Sequence, residues 1–334
     1  MKFYKMSLLV LILALLIVGC DNIQYSNNAP DVSTTGDYNE LLYGKYPEPI
    51  LISIGENHDV NKNYKELRRS DLKKVTNLNF KKYLFEDGRK YDFSILLEMP
   101  NLTCLDMDFG ENIKLEDYSV LKNLNKLEVL YISNVNNDDV KNLVGLTSLK
   151  QLNIYDSKDL TSAEFLNNMQ QLTYLGLYNV PNFHDYQPLK KLSKLESLSV
   201  SNVNNDDARN IAAITSIKEL NIYDSKDLTS IEFLSNMKQL TYLKLNNVPN
   251  VHDYQPLKYL VNVKELYLIY SGLTEKDLNN LPDMDSVESL FLNDNRIVLL
   301  GNFPKMKNLK YLILSYNPLT EVNILPDKIP NLKH

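Results

Sequence analysis

The chain has 334 residues, 44% apolar and 23% charged, with a formal net charge of −6. That composition supports a sizeable core, and the acidic balance argues against a nucleic-acid or anionic-membrane surface as the main partner. Two cysteines offer no disulfide framework, while 22 tyrosines and no tryptophan are an unusual aromatic balance.

Lys2 and Lys5 precede an apolar run, Met6–Val18, that ends in Ile17-Val18-Gly19-Cys20. The run is short of the ~20 residues that span a bilayer and suits a secretory signal. Its end resembles the lipobox of bacterial lipoproteins. The resemblance implies residues 1–19 as a signal peptide and Cys20 as the lipidated N-terminus of the mature chain, held to a membrane outside the cytoplasm. Residues 20–47 lack apolar periodicity and read as a flexible tether, and 48–101 as an N-terminal cap with a first irregular repeat.

From Leu102 an L-x-x-L-x-L pattern recurs, starting at Leu102, Leu127, Leu149, Leu172, Leu195, Ile217, Leu240, Val263, Val287 and Leu309, at spacings of 22 to 25 residues. A period of this length marks a leucine-rich repeat, in which each unit contributes one short strand and stacks its leucines on the next. The pattern predicts an α/β solenoid over 102–334: a curved domain of ten units and a truncated eleventh, with parallel short strands on the concave face and a small helical cap before them. The end at His334 leaves an uncapped strand edge as a candidate surface for self-association.

"SDLKKVTNLNF" (Ser70–Phe80), "DFSILLEMPNLTCLDM" (Asp92–Met107) and "HDYQPLKKLSKLESLSV" (His184–Val200) resemble the cap junction and repeat unit of internalin-like bacterial proteins. The resemblance implies a protein-binding module, and host adhesion or recognition in its sharpest form. It differs in placing its anchor at the N-terminus.

Three repeats have been copied: Lys126–Ser193 aligns without a gap on Lys194–Val261, with 49 identities in 68 positions. The copies share "NIYDSKDLTS" at Asn153–Ser162 and Asn221–Ser230. His-Asp pairs at His58-Asp59, His184-Asp185 and His252-Asp253 read as turn residues, because copies three strands apart stand roughly 15 Å from one another at the strand spacing and cannot share a metal. In "NVNNDD", Asp138 and Asp206 read as helix caps. Cys104 reads as a free thiol. No motif for catalysis, metal or cofactor is present, so no enzyme activity is expected.

Counting the first leucine as position 1, positions 3, 5, 7 and 8 face the concave surface. They hold ten of the 22 tyrosines. The predicted contact residues are Tyr131, Tyr155, Asp156, Tyr174, Tyr178, Tyr223, Asp224, Tyr242, Tyr267, Tyr270, Phe291, Tyr311 and Tyr316. Tyrosine among Ser, Asn and Asp is the composition of antibody paratopes. Lys244 is the one cation at the positions from the second unit on, which disfavours phosphate and nucleic acid. A protein partner fits, or a glycan stacking on the rings. The competing expectation is an envelope scaffold acting by self-association.

Overall fold

The computed structural model describes residues 39–321 and 327–333. The signal peptide and Cys20 lie outside the described residues. The described residues contain no helix long and apolar enough to cross a membrane. The chain divides into two compact units, one up to Asp156 and one from Ser157.

In the first unit, β1 (Asn77–Asn79), β2 (Cys104–Met107), β3 (Val129–Ser133) and β4 (Gln151–Tyr155) pair in parallel and in chain order. The register puts Leu78, Leu105, Leu130 and Leu152 side by side, all fully buried. The irregular repeat expected before Leu102 is therefore in register, with Val75 in the first-leucine place. Alternation sends every second strand residue inward, and each leucine so buried contributes roughly 2 kcal/mol.

The cap is built on the helix Glu48–Gly55, which starts after Pro47 and buries Ile50, Leu51 and Ile54. It ends at a glycine because a Cβ on Gly55 would lie 2.5 Å from the Lys62 carbonyl oxygen. Phe80, Phe85, Phe93 and Phe109 fill the space beneath with ring centroids 4.7 to 6.1 Å apart. The packed body begins earlier than the tether boundary drawn at residue 47. Leu42 is fully buried and its N–H donates to the Leu67 carbonyl at 2.9 Å. One buried leucine in a polar stretch gives no period, so composition concealed it.

In the second unit, β5 (Tyr174–Tyr178), β6 (Ser197–Ser201), β7 (Glu219–Tyr223), β8 (Tyr242–Asn246), β9 (Glu265–Ile269), β10 (Ser289–Phe291) and β11 (Tyr311–Ile313) repeat the arrangement. Leu175, Leu198, Leu220, Leu243, Leu266, Leu290 and Leu312 are in register.

Most return segments are single 3-10 turns. The duplicated block shows how sequence decides this. Asp139–Leu143 is a 3-10 turn, whereas its copy opens into the α-helix Asn205–Ala212. Val140, Val144 and Gly145 of the first copy become Ala208, Ala212 and Ala213 in the second, and alanine favours helix over both valine and glycine.

Each strand ends in a bend whose backbone groups must be paired. Asn295 accepts from the N–H groups of Ser271 (3.0 Å) and Leu273 (3.1 Å) and donates to the carbonyls of Leu268 (2.7 Å) and Leu292 (2.9 Å). Asn317 does the same one repeat on, accepting from Ile297 N–H at 3.0 Å. Several repeats without this asparagine use serine. Ser225 Oγ accepts from Val203 N–H at 2.9 Å and donates to the Tyr223 carbonyl at 2.7 Å, and Ser271 serves Val248 N–H and the Ile269 carbonyl.

Candidate functional site

The strand face is narrower than the sequence pattern predicted. At position 7, Ser133 and Ser201 turn inward and are buried: Ser133 accepts from Phe109 N–H at 2.8 Å and Ser201 from Val180 N–H at 3.4 Å. At these two repeats position 7 belongs to the bend ladder. Position 8 is the bend itself, with a left-handed φ in all nine repeats from Asn134 to Tyr316.

In the first unit, Tyr131 is buried against Cys104 and Val129 with Tyr155 packed over them. Its hydroxyl accepts from Gln151 Nε2 at 3.1 Å. Asp156 is a half-buried bend residue with φ 49°. Cys104, expected as a free thiol, is fully buried and disulfide-bonded. Cys20 is the chain's other cysteine.

In the second unit the aromatics form a packed row. Gly176, Ser197 and Ser199 make a low floor, and Tyr174 lies across it, its hydroxyl donating to Ser199 Oγ at 3.2 Å and meeting the Tyr178 hydroxyl. Tyr178 and Tyr223 lean toward each other over β6, with ring centroids 6.0 Å apart. Tyr242 packs on Tyr267 at 5.2 Å, and Tyr267 stacks on Phe291 at 4.0 Å with ring planes 4° apart. Burial pushes the Tyr174, Tyr223, Tyr242 and Tyr267 hydroxyls well above the ordinary tyrosine range, and neighbouring tyrosine and glutamate charges add to it.

The predicted contact residues differ in exposure. Tyr131, Tyr174 and Tyr267 are 6%, 8% and 5% exposed, too little to offer a partner much area. Strands about 4.8 Å apart bring rings into lateral contact, so these three support their neighbours. Tyr155, Tyr178, Tyr223, Tyr242 and Phe291 are half-buried, and Asp224, Tyr270, Tyr311 and Tyr316 are exposed.

Among the described residues, two polar atoms of this face lack hydrogen-bond partners and one cation lacks a counter-ion. Ser197 Oγ and Asn221 Oδ1 are buried and accept no hydrogen bond. Lys244 Nζ sits 5.1 Å from the Tyr223 ring centroid and 5.9 Å from that of Tyr267. Burial pulls its ammonium below the ordinary lysine range, and among the described residues no carboxylate forms an ion pair with it. Sequence reasoning picked out Lys244 as a lone cation but not its aromatic cradle, which depends on register across β7–β9.

His184 and His252 lie on the return segments and pair across repeats. His184 Nδ1 is 2.8 Å from Asp207 Oδ2 and His252 Nδ1 is 3.7 Å from Asp277 Oδ1, while Lys114 takes the same place against Asp139 at 3.0 Å. Each of these aspartates also accepts from the backbone N–H that starts its return segment: Asn136, Asn204 and Thr274. The caps in "NVNNDD" are thus Asn136 and Asn204 with Asp139 and Asp207. Asp138 and Asp206 instead pair with Lys141 and Arg209 one turn on.

No protein-family model matches the chain. A curated U2 small nuclear ribonucleoprotein A' from Debaryomyces hansenii is 34% identical over 95 residues, which is 28% of this chain and 35% of that protein. The chain thus spans about a third of the length of this relative. Among solved structures, an internalin C2 from Listeria monocytogenes matches with a TM-score of 0.50 and 22% identity, over 67% of this chain and 92% of that one. An internalin from the same species, inlF, matches with a TM-score of 0.44 and 22% identity over 87% of this chain and 98% of that one. The chain has a leucine-rich-repeat fold, similar to that of the internalin C2.

Proposed function

We propose that the chain is an exported bacterial protein, held at a membrane by a lipid on Cys20, that binds another protein through its strand face. The observation that carries the reading is the face of Ser157–His334: half-buried tyrosines pre-packed on one another and, among the described residues, two orphaned polar atoms and a desolvated ammonium without a counter-ion. Buried polar groups in proteins are normally paired, and a partner's polar groups would complete these. Rigid aromatics lose little entropy on contact, which favours affinity. Adhesion or recognition at a host surface is the finer form of this reading, drawn from the internalin resemblance.

The disulfide at Cys104 supports export, since such bonds persist in oxidising compartments. The same bond competes with the anchor: Cys20 is the chain's other cysteine and a thioether sulfur cannot join a disulfide, so a chain lipidated on Cys20 carries Cys104 as a buried thiol. The binding reading is tested by capturing partners from envelope and extracellular extracts, then measuring the captured protein's affinity for Tyr223→Ala and for the opposite-side variants Lys190→Ala and Glu232→Ala. Loss in the first with retention in the other two is expected. Retention in all three refutes the strand face as the contact surface.

A further inference from the structure

The bend at the end of each strand from β3 on is a left-handed position. Nine of them, Asn134, Asp156, Asn179, Asn202, Asp224, Asn247, Tyr270, Asp294 and Tyr316, have φ between 46° and 58°. Seven are Asn or Asp, whose short polar side chains tolerate this region. Tyr270 and Tyr316 depart from the rule, and a bulky side chain at positive φ is strained. The fold does not require them, because Asn247 and Asp294 make the same bend in neighbouring repeats. Nor do the rings gain burial in exchange: Tyr270 is 56% and Tyr316 83% exposed.

Asp294 occupies the bend between them. Its carboxylate stands beside the Tyr270 hydroxyl and raises that hydroxyl's pKa, with Tyr316 contributing in the same direction. Asn293 Nδ2 donates to it at 2.6 Å. Among the described residues no Lys, Arg or His forms an ion pair with Asp294. Adjacent strands are about 4.8 Å apart, so the three side chains come from one row about 10 Å long.

We propose that Tyr270, Asp294 and Tyr316 form a clamp for the guanidinium group of an arginine on the protein partner. The carboxylate accepts from Asn293 Nδ2 and the Tyr270 hydroxyl but has no cationic partner among the described residues; with two exposed rings beside it, it is complementary to a planar cation, which stacks on aromatic faces and donates hydrogen bonds to a carboxylate. An ammonium has neither the plane nor the fork. The surrounding charge agrees: Glu219, Asp224 and Glu265 share the face with a single lysine, Lys244, at the strand positions of this unit, and the chain is −6 overall. The strain at Tyr270 and Tyr316 is then retained for contact.

This rests on the strand face as the contact surface, yet its test needs no partner. The full chain in detergent, with ring-labelled tyrosine, is titrated with N-acetyl-arginine amide and followed by NMR. Two tyrosine signals, identified by their loss in Tyr270→Asn and Tyr316→Asn, are expected to shift, and Asp294→Asn to weaken the effect about tenfold. N-acetyl-citrulline amide, isosteric but uncharged, is expected to leave both signals in place. Both Tyr→Asn variants are expected to raise the thermal midpoint, since Asn suits the bend. The clamp is overturned if arginine shifts neither signal, if citrulline or N-acetyl-lysine amide matches it, or if the Tyr→Asn variants unfold at lower temperature. Failure of the clamp with Tyr223→Ala still abolishing capture refutes the clamp alone; the converse refutes the broader surface.

Discussion

Replacing Asn295 by alanine removes the side chain that joins two repeats at their bends. Four buried hydrogen bonds disappear, two accepted from Ser271 and Leu273 N–H and two donated to the Leu268 and Leu292 carbonyls, with a weaker part-buried one to the Asn293 carbonyl. Orphaning a buried backbone group costs about 1–3 kcal/mol, and partial access of water to the carbonyls lowers the sum, so the substitution should destabilise by about 4 kcal/mol. Ser225→Ala is the comparison. That hydroxyl serves one N–H and one carbonyl, so its loss should be about half as large, near 2 kcal/mol. Urea unfolding of the full chain in detergent, followed by circular dichroism, measures both midpoints. Equal losses for the two variants, or an Asn295→Ala loss below about 1 kcal/mol, refute the view that these side chains hold the bends by pairing backbone groups.

Three further outcomes are expected. Burial raises the hydroxyls of Tyr118, Tyr174, Tyr186, Tyr223, Tyr242, Tyr254 and Tyr267. Unfolded tyrosines release protons near pH 10 while these keep theirs, so stability should be intact below about pH 10 and fall above it; absorbance titration should show part of the tyrosine signal appearing only as circular dichroism is lost. Burial opposes ionisation of Asp71, but hydrogen bonds from Lys62, Arg68 N–H and Lys74 outweigh it and hold the carboxyl below its ordinary range. The cap should therefore keep this stabilisation above about pH 4 and lose it as pH falls further, and Asp71→Asn should flatten that acid limb while costing about 2 kcal/mol at pH 7. Intact mass of the mature chain decides the anchor: a diacylglyceryl adduct is expected, and an adduct-free monomer whose cysteines become alkylatable only after reduction contradicts it.

The repeat period and the leucine register were legible in the sequence, because alternation and stacking act on the pattern itself. Three things were not. Tyr131, Tyr174 and Tyr267 follow the same alternation as their exposed neighbours, and only the small residues beside them, such as Gly176 and Ser199 around Tyr174, decide that they lie down. The bend was read as part of the strand face, although the run of Asn and Asp at one position was a visible sign of left-handed backbone, and Tyr270 and Tyr316 stand out once that is recognised. The partners of His184 and His252 lie in the next repeat, a contact that the neighbouring Asp185 and Asp253 disguised.

The strand face from Tyr174 to Tyr316 is proposed as the contact surface. Hydroxyl-radical footprinting of the full chain, with and without a purified captured partner, tests it most directly. Protection of Tyr178, Tyr223, Tyr242 and Tyr270 is expected, with the exposed return-segment residues Tyr259 and Lys190 oxidised equally in both states. Protection of the return segments with those four tyrosines unchanged would contradict it.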